Sequence, residues 1–453
     1  MNRSLSGALL ALLVTVAACS ADATGADAPI TPAADLQAIT SAAVPLTGAA
    51  ADYDPLLALT AQARFALLGE QTHGTHEFYR ERLRITRRLV DEQAFTAVAI
   101  EGDWPEAERV NAYVRGQGAD ATPEAALGDL HGFPRWMWAN TDVRGLVQEL
   151  RGHNQAVAPQ AQVGFYGLDL QAMIPSADAV VRYLERTDAS AAARARQRYA
   201  CFDAYRGVSA GQYGADAAGD SARSCRAPAA AQLAEMEQRY AAAPATSPAA
   251  LDSLFSALIN ALAVERGEAY YSAFGPGESS WNIRDRHMAN VLDRMVAHGA
   301  RLGRTVKVVV WAHNTHVGDY RATGFASHGE VNLAMLLRQQ HPGEVVLTGF
   351  STYRGSVFAA PVWGAAGSAV SLPPAAIESH SDVFHRARPG DFLLVLRGQP
   401  ALAGLFSRFR SERAVGVVFQ PLQERESNYY QARLADQFDA MIHIDATSAV
   451  TPL

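Results

Sequence analysis

The chain has 453 residues, 49% of them hydrophobic and 19% charged, enough for two or three compact units with a buried core. Its 39 basic residues against 46 acidic ones leave a net charge of −7, and no Lys/Arg block occurs, which excludes the basic face that nucleic-acid binding requires. Lys307 is the only lysine, so Ser–Lys and Schiff-base mechanisms are excluded unless it serves, and no apolar run reaches the roughly 18–20 residues of a membrane span.

The first element is MNRSLSGALLALLVTVAACS, with Arg3 as a thin positive region and Leu9 to Val16 as an apolar one, the layout of a secretory signal over residues 1–18. It ends in Val16-Ala17-Ala18-Cys19, which resembles a bacterial lipobox. Cys19 is therefore expected to be lipidated, anchoring an exported protein to a cell membrane on its periplasmic or extracytoplasmic side. Residues 19–51, rich in Ala, Asp, Thr and Pro, read as a flexible tether.

The body, residues 52–453, alternates β-branched runs with amphipathic stretches, the pattern of an α/β fold with a largely parallel central sheet flanked by helices. Strands are predicted at Phe65–Leu68, Thr96–Ile100, Val163–Tyr166, Val306–Ala312, Val345–Gly349, Asp391–Leu396, Ala414–Phe419 and Ala440–Ile444. Helices are predicted at His76–Asp91, Glu106–Val114, Thr141–His153, Ser176–Thr187, Ser279–Ala297 and Glu330–Gln340. Between about residues 189 and 274 the composition turns Ala-, Arg- and Gln-rich, a helical insertion expected to cover one end of the sheet. Cys201 and Cys225, an even pair within it, suggest a disulfide.

Parallel strands deliver functional residues from their C-terminal ends. Glu70 and His73 follow the first predicted strand of the body, Glu101 the second, Asp169 the third, and His313 and His316 the Val306–Ala312 strand. Gly69 and Gly74 bracket the first pair and allow a tight turn, while the i, i+3 spacing lets Glu70 orient the His73 imidazole. Asp169 reads equally well as a cap for the helix that follows. His76 and His153 read as structural.

The G-x-S-x-G elbow, H-E-x-x-H and CxxC patterns are all absent. Histidines and carboxylates without a Ser or Cys nucleophile point to activation of water. Either a histidine is the general base, with Arg and protonated His on the oxyanion, or Glu70, His73, Glu101, His313 and His316 hold a divalent metal that acidifies bound water.

The segments LGEQTHGTHEFYRERLRITRRLV, AIEGDWPEAERVNAYVRG, GFPRWMWANTDVRG, SSWNIRDRHMANVL, VVWAHNTHVGD and FSTYRGSV resemble the erythromycin esterase family. The resemblance extends from about Leu67 to the C-terminus and is weakest in the insertion. It implies a hydrolase that opens a macrolactone or another carboxylic ester with water. Its motifs place the general base at His73, its neighbour at Glu70, a second carboxylate at Glu101 and an arginine at Arg82. His287 falls in RDRHMA, and His313 and His316 in HNTH; with Arg82, the last two would stabilise the oxyanion or protonate the leaving alkoxide. No cofactor is required, although a divalent metal fits the alternative. Antibiotic-resistance members of the family act in the cytosol, so an exported relative takes some other small ester or lactone as readily as a macrolide. A lipid-tethered binding protein for a hydrophobic ligand or haem is the reading without catalysis. Trp104, Trp136 and Trp138 either line an apolar pocket or fill the core; Arg284 and Asp285 either pair with each other or approach the site. Glu330 and Asn332 line the cleft or cap a helix, and Tyr353 and Arg354 follow a strand toward the site.

Overall fold

A computed structural model describes residues 31–130, 134–273, 278–388 and 390–453. The signal segment and Cys19 lie outside the described residues. The strands, in chain order, are β1 Val44–Pro45, β2 Phe65–Leu68, β3 Ala97–Asp103, β4 Gly164–Asp169, β5 Val308–Trp311, β6 Val345–Ala359, β7 Ser368–Leu372, β8 Phe392–Val395, β9 Arg410–Arg413, β10 Tyr429–Ala432 and β11 Ala440–Thr447. Among the described residues they form a nine-stranded sheet, ordered β1-β8-β11-β6-β2-β5-β3-β4 with β7 paired to β6, and a separate β9–β10 pair. The central strands β11, β6, β2, β5, β3 and β4 run parallel, whereas β1, β7 and β8 are antiparallel additions. The short runs FALL and VVVW are buried on both faces, as a helix-covered parallel sheet requires. The expected α/β architecture is present.

The sheet order positions the site. β5, more than 200 residues beyond β3 in the chain, lies between β2 and β3, with Phe65 and Ala97 both paired to Val308. The ends of β2, β5, β3 and β4 therefore stand side by side on one sheet edge.

Helices Ala189–Tyr199, Ala210–Gly219, Arg226–Ala242 and Pro248–Tyr271 build the expected insertion, and Cys201 and Cys225 are joined in a disulfide within it. It packs against a sheet face, not an end. Phe255, Ile259 and Leu262 of its last helix join one apolar cluster with Leu67, Ala99 and Val310, while Leu254, Leu258 and Ala261 face the insertion's own core. This helix is long and apolar enough to cross a membrane, contrary to the reading of the sequence, and its apolarity is accounted for by burial on both sides.

Three other expectations are corrected. The tether ends earlier: Ala33–Ala42 is helical, with Ile39 fully buried, and β1 pairs with β8. Alanine, which suggested an unstructured linker, is the strongest helix former, and packing against the helix His380–Ala387 stabilises the short helix. Ala414–Phe419 is not a strand; β9 precedes it, and Val415 and Val418 make isolated bridges to Thr72 and Ala360. Its β-branched residues have no continuous partner strand. β3 continues beyond Ile100, so Glu101 belongs to the strand itself and not to the loop after it.

Ile39→Ala would be neutral in a tether; buried here, it should cost about 2–4 kcal/mol in urea unfolding.

Candidate active site

Leaving β2, the chain makes a tight turn. An added Cβ at Gly74 (φ +67°) would meet the Phe358 carbonyl at 2.2 Å, and one at Gly69 would meet Asn314 Oδ1 at 2.1 Å, so both glycines are sterically required. The turn places Glu70 Oε1 at 2.9 Å from His73 Nδ1, the expected pair. Arg82 Nη2 donates to Glu70 Oε2 at 3.1 Å from the following helix, His76–Gln93. Arg82 is wholly buried and lies over the rings of Tyr79 and Trp311, at 4.3 and 4.7 Å. It stands behind Glu70, so it acts on His73 through that carboxylate.

β3 and β5 supply the other half. Glu101 Oε2 accepts the backbone N–H of His313 at 2.9 Å, and Trp138 Nε1 donates to the Glu101 carbonyl at 2.9 Å. Burial alone would raise the Glu101 pKa, but His316 and Arg284 hold it well below the usual carboxylate range. The His73 and His313 rings lie 4.8 Å apart between centroids.

The two HNTH histidines differ in charge. His313 Nε2–H donates to the Gln71 carbonyl at 3.0 Å, and Nδ1 accepts from Thr315 Oγ1 at 2.8 Å. Burial pulls its pKa down to about 3, so the ring is neutral. For His316, burial is outweighed by Asp285, 2.9 Å from Nδ1, and by Glu101, 3.3 Å from Nε2, and the pKa rises to about 9. Trp281 stacks on the ring at 4.5 Å.

Arg284 and Asp285 do not pair with each other, because successive helical residues point in different directions. Arg284 donates to both oxygens of Asp169, at 3.0 and 2.5 Å, and to Glu101 Oε1 at 2.8 Å. Asp285 holds His316 and accepts the Leu333 N–H at 2.7 Å. Asp169 is therefore a partner of Arg284 and does not cap the next helix. Beside it Asp103 is buried, and burial followed by the charge of Asp169 lifts its pKa well above the ordinary value.

Of the expected site residues, Glu70, His73, Arg82, Glu101, His313 and His316 converge on this one cluster. His287 is buried on the helix Ser280–Arg301 and faces Asp169 at the margin of the cluster; burial, against the opposing charge of Asp169, lowers its pKa to about 4. It borders the cluster through Asp169 as a neutral ring. Trp104 is a core residue stacked on Tyr166, and Asn332 caps the helix Leu333–Gln340. Tyr353 stacks on His385, and His76 and His153 bind Asp142 and Asp91. Gln71, Thr315 and Trp281 passed unnoticed as site residues, although each stands within or beside a quoted motif.

The alternative metal set does not fit. Glu70 is shared by His73 and Arg82, Glu101 is paired with Arg284, and both ring nitrogens of His313 and of His316 are engaged by protein groups. Among the described residues no three His, Cys, Asp or Glu side chains gather as ligands for an ion.

The sequence profile of the erythromycin esterase family matches residues 90–447, a stretch that begins after the Glu70–His73 turn. An erythromycin esterase type II from Escherichia coli is 25% identical over 119 residues, 26% of either chain, so the match spans about a quarter of that relative's length. Three solved structures share the fold. A succinoglycan biosynthesis protein superposes with a TM-score of 0.73 at 20% identity, covering 92% of this chain and 97% of its own. A Bacillus cereus protein gives 0.75 at 18%, covering 92% and 98%. An erythromycin esterase mutant in its open conformation gives 0.59 at 16%, covering 87% and 93%.

The raised pKa of His316 means that its stabilisation is complete below about pH 6.5 and is lost as pH rises through about 9. His316 should contribute about 3 kcal/mol to the fall of unfolding free energy across that window, and His316→Gln should reduce the fall by that contribution. Elemental analysis of untagged protein should show zinc and manganese far below one per chain, with chelators leaving activity unchanged.

Proposed function

The chain belongs to the erythromycin esterase family, and from that premise we propose that it is a hydrolase that cleaves a carboxylic ester or lactone with water, using His73 as general base. The observation that carries this reading is the Arg82–Glu70–His73 relay on the sheet edge beside Glu101. Glu70 accepts Nδ1–H, fixing the tautomer in which Nε2 bears the lone pair. That nitrogen takes a proton from water as the water oxygen attacks the ester carbonyl carbon.

Glu101 orients the attacking water, with His313 as a neutral ring that sets the position of His73. Charge supports the remaining assignment. The cluster contains the carboxyls of Glu70, Glu101, Asp169 and Asp285 and the guanidiniums of Arg82 and Arg284, so a charged His316 reduces its negative excess. Held between Asp285 and Glu101, His316 would favour the tetrahedral oxyanion through the field of its charge and not through a free N–H. As the intermediate collapses, the C–O bond to the leaving alkoxide breaks and the proton held on His73 returns to that oxygen.

The substrate is proposed as a small ester or lactone, a macrolactone among them. Residues 1–19 carry a further proposal, that Cys19 is lipidated and tethers the enzyme to a cell membrane on its periplasmic or extracytoplasmic side. Cys19→Ala should then move the protein from the membrane to the soluble fraction, without the added mass of lipid.

Macrolides and simple lactones incubated with the protein should gain the mass of one water. His73→Ala should lower kcat by about 10²–10⁴-fold, the range of a lost general base, and Glu70→Gln by a smaller factor. Turnover unchanged in His73→Ala would overturn the assignment, and ligand binding without any product would favour a binding protein.

A further inference from the structure

Gln71 lies between the two members of the Glu70–His73 pair and is completely buried. Its carbonyl accepts from His313 Nε2–H and from the Val415 N–H, both at 3.0 Å. Its side chain is held at both ends: Oε1 accepts the Thr352 N–H at 3.0 Å, and Nε2 donates to Ser381 Oγ and to Glu412 Oε1, each at 3.0 Å. One residue therefore connects the turn that carries the base to the neighbouring histidine and to the core beneath them.

Glu412, on β9, is the unexpected member. It is fully buried, and its Oε2 has no hydrogen-bond partner. Among the described residues no cation forms an ion pair with it. Arg413, next on the strand, directs its guanidinium to Glu424 Oε1 at 2.7 Å and to the carbonyls of Thr352, Tyr353 and Pro373. Across the strand pair stands Tyr430, whose hydroxyl accepts from the Gln437 amide. On the helix His380–Ala387, Asp382 pairs with Arg386, and burial keeps His380 neutral with its Nε2 on the Ala432 carbonyl. Asn314 faces Glu412 from the HNTH segment.

An ionised carboxylate with an amide as its partner is far costlier to bury than a protonated one. Burial raises the Glu412 pKa to about 8, against smaller opposing contributions from Gln71, Arg413 and Asn314. We propose that Glu412 is a positioning residue for the His73 turn: as a neutral carboxylic acid it seats the Gln71 amide and so keeps His73 and His313 in register. Ionisation in mildly alkaline solution places an uncompensated charge beneath that joint and loosens the turn. The role in turnover rests on the assignment of His73 as the base; the neutral seat does not.

Glu412→Gln keeps the shape and removes the ionisation, while Glu412→Ala removes the seat. On an ester that the wild type cleaves, the alanine variant should lose roughly tenfold in kcat with KM nearly unchanged, and the glutamine variant should restore it. The alkaline fall of kcat that begins near pH 8 should move to higher pH in the glutamine variant. Two measurements need no substrate. The infrared band of a protonated carboxylic acid, missing from Glu412→Gln, should titrate near pH 8 in the wild type. The ¹⁵N resonances of His73 and His313 should shift in the alanine variant and return in the glutamine one. A glutamine variant as impaired as alanine, an unmoved alkaline limb, or a Glu412 already ionised at pH 7 would each overturn the proposal. If the wild type cleaves no ester, the assignment of His73 fails, while the infrared and ¹⁵N measurements still decide the role of Glu412 in seating the turn.

Discussion

The arrangement of the site depends on one buried guanidinium. Arg284 reaches from the helix Ser280–Arg301 to Asp169 at the end of β4 and Glu101 in β3. Desolvating a guanidinium and two carboxylates is expensive, and only close, multiply bonded geometry compensates. That requirement ties the helix to two strand ends. It also brings the adjacent Asp285 against His316, where it raises the charge on that ring.

The turn carrying His73 is constrained in a different way, by neutral backbone contacts. The Gly69 N–H donates to the Thr348 carbonyl, the His73 N–H to that of Val415, and the Phe358 N–H to that of Gly74. The Glu70 carbonyl accepts from the Asn314 N–H, and the Asn314 side chain spans the backbone of Phe350. Every polar group so satisfied in the interior removes a reason for the turn to move. His73 is thus held by its scaffold, and the charged groups opposite it by ion pairs.

Much of this was legible in the sequence, and the losses have identifiable causes. The Glu70–His73 pair is local, three residues apart, and its two glycines announce the turn, so that contact could be read directly. The four strand ends were also readable, because short β-branched runs followed by polar residues mark them. The helical character of the stretch from Ala189 to Tyr271 was readable from composition. The helix at Ala33–Ala42 was missed because its stability comes from packing rather than from its own pattern, and Ala414–Phe419 was misread because β-branched content does not supply a partner strand. His287, read into the site from its motif, faces Asp169 at the edge of the cluster, because its helix face, not its proximity in sequence, decides where the side chain points.

The sequence by itself determined which chemical groups each strand end would present, and in what local order, because a strand followed by a glycine-bounded turn is set by neighbouring residues. Only the tertiary structure decided that β5 enters between β2 and β3, bringing His313 beside both His73 and Glu101. It also decided that His313 is neutral while His316, three residues on, is charged. Strand order depends on pairings across hundreds of residues, and protonation depends on burial and on the charges that folding places nearby; neither is encoded in any short stretch of chain.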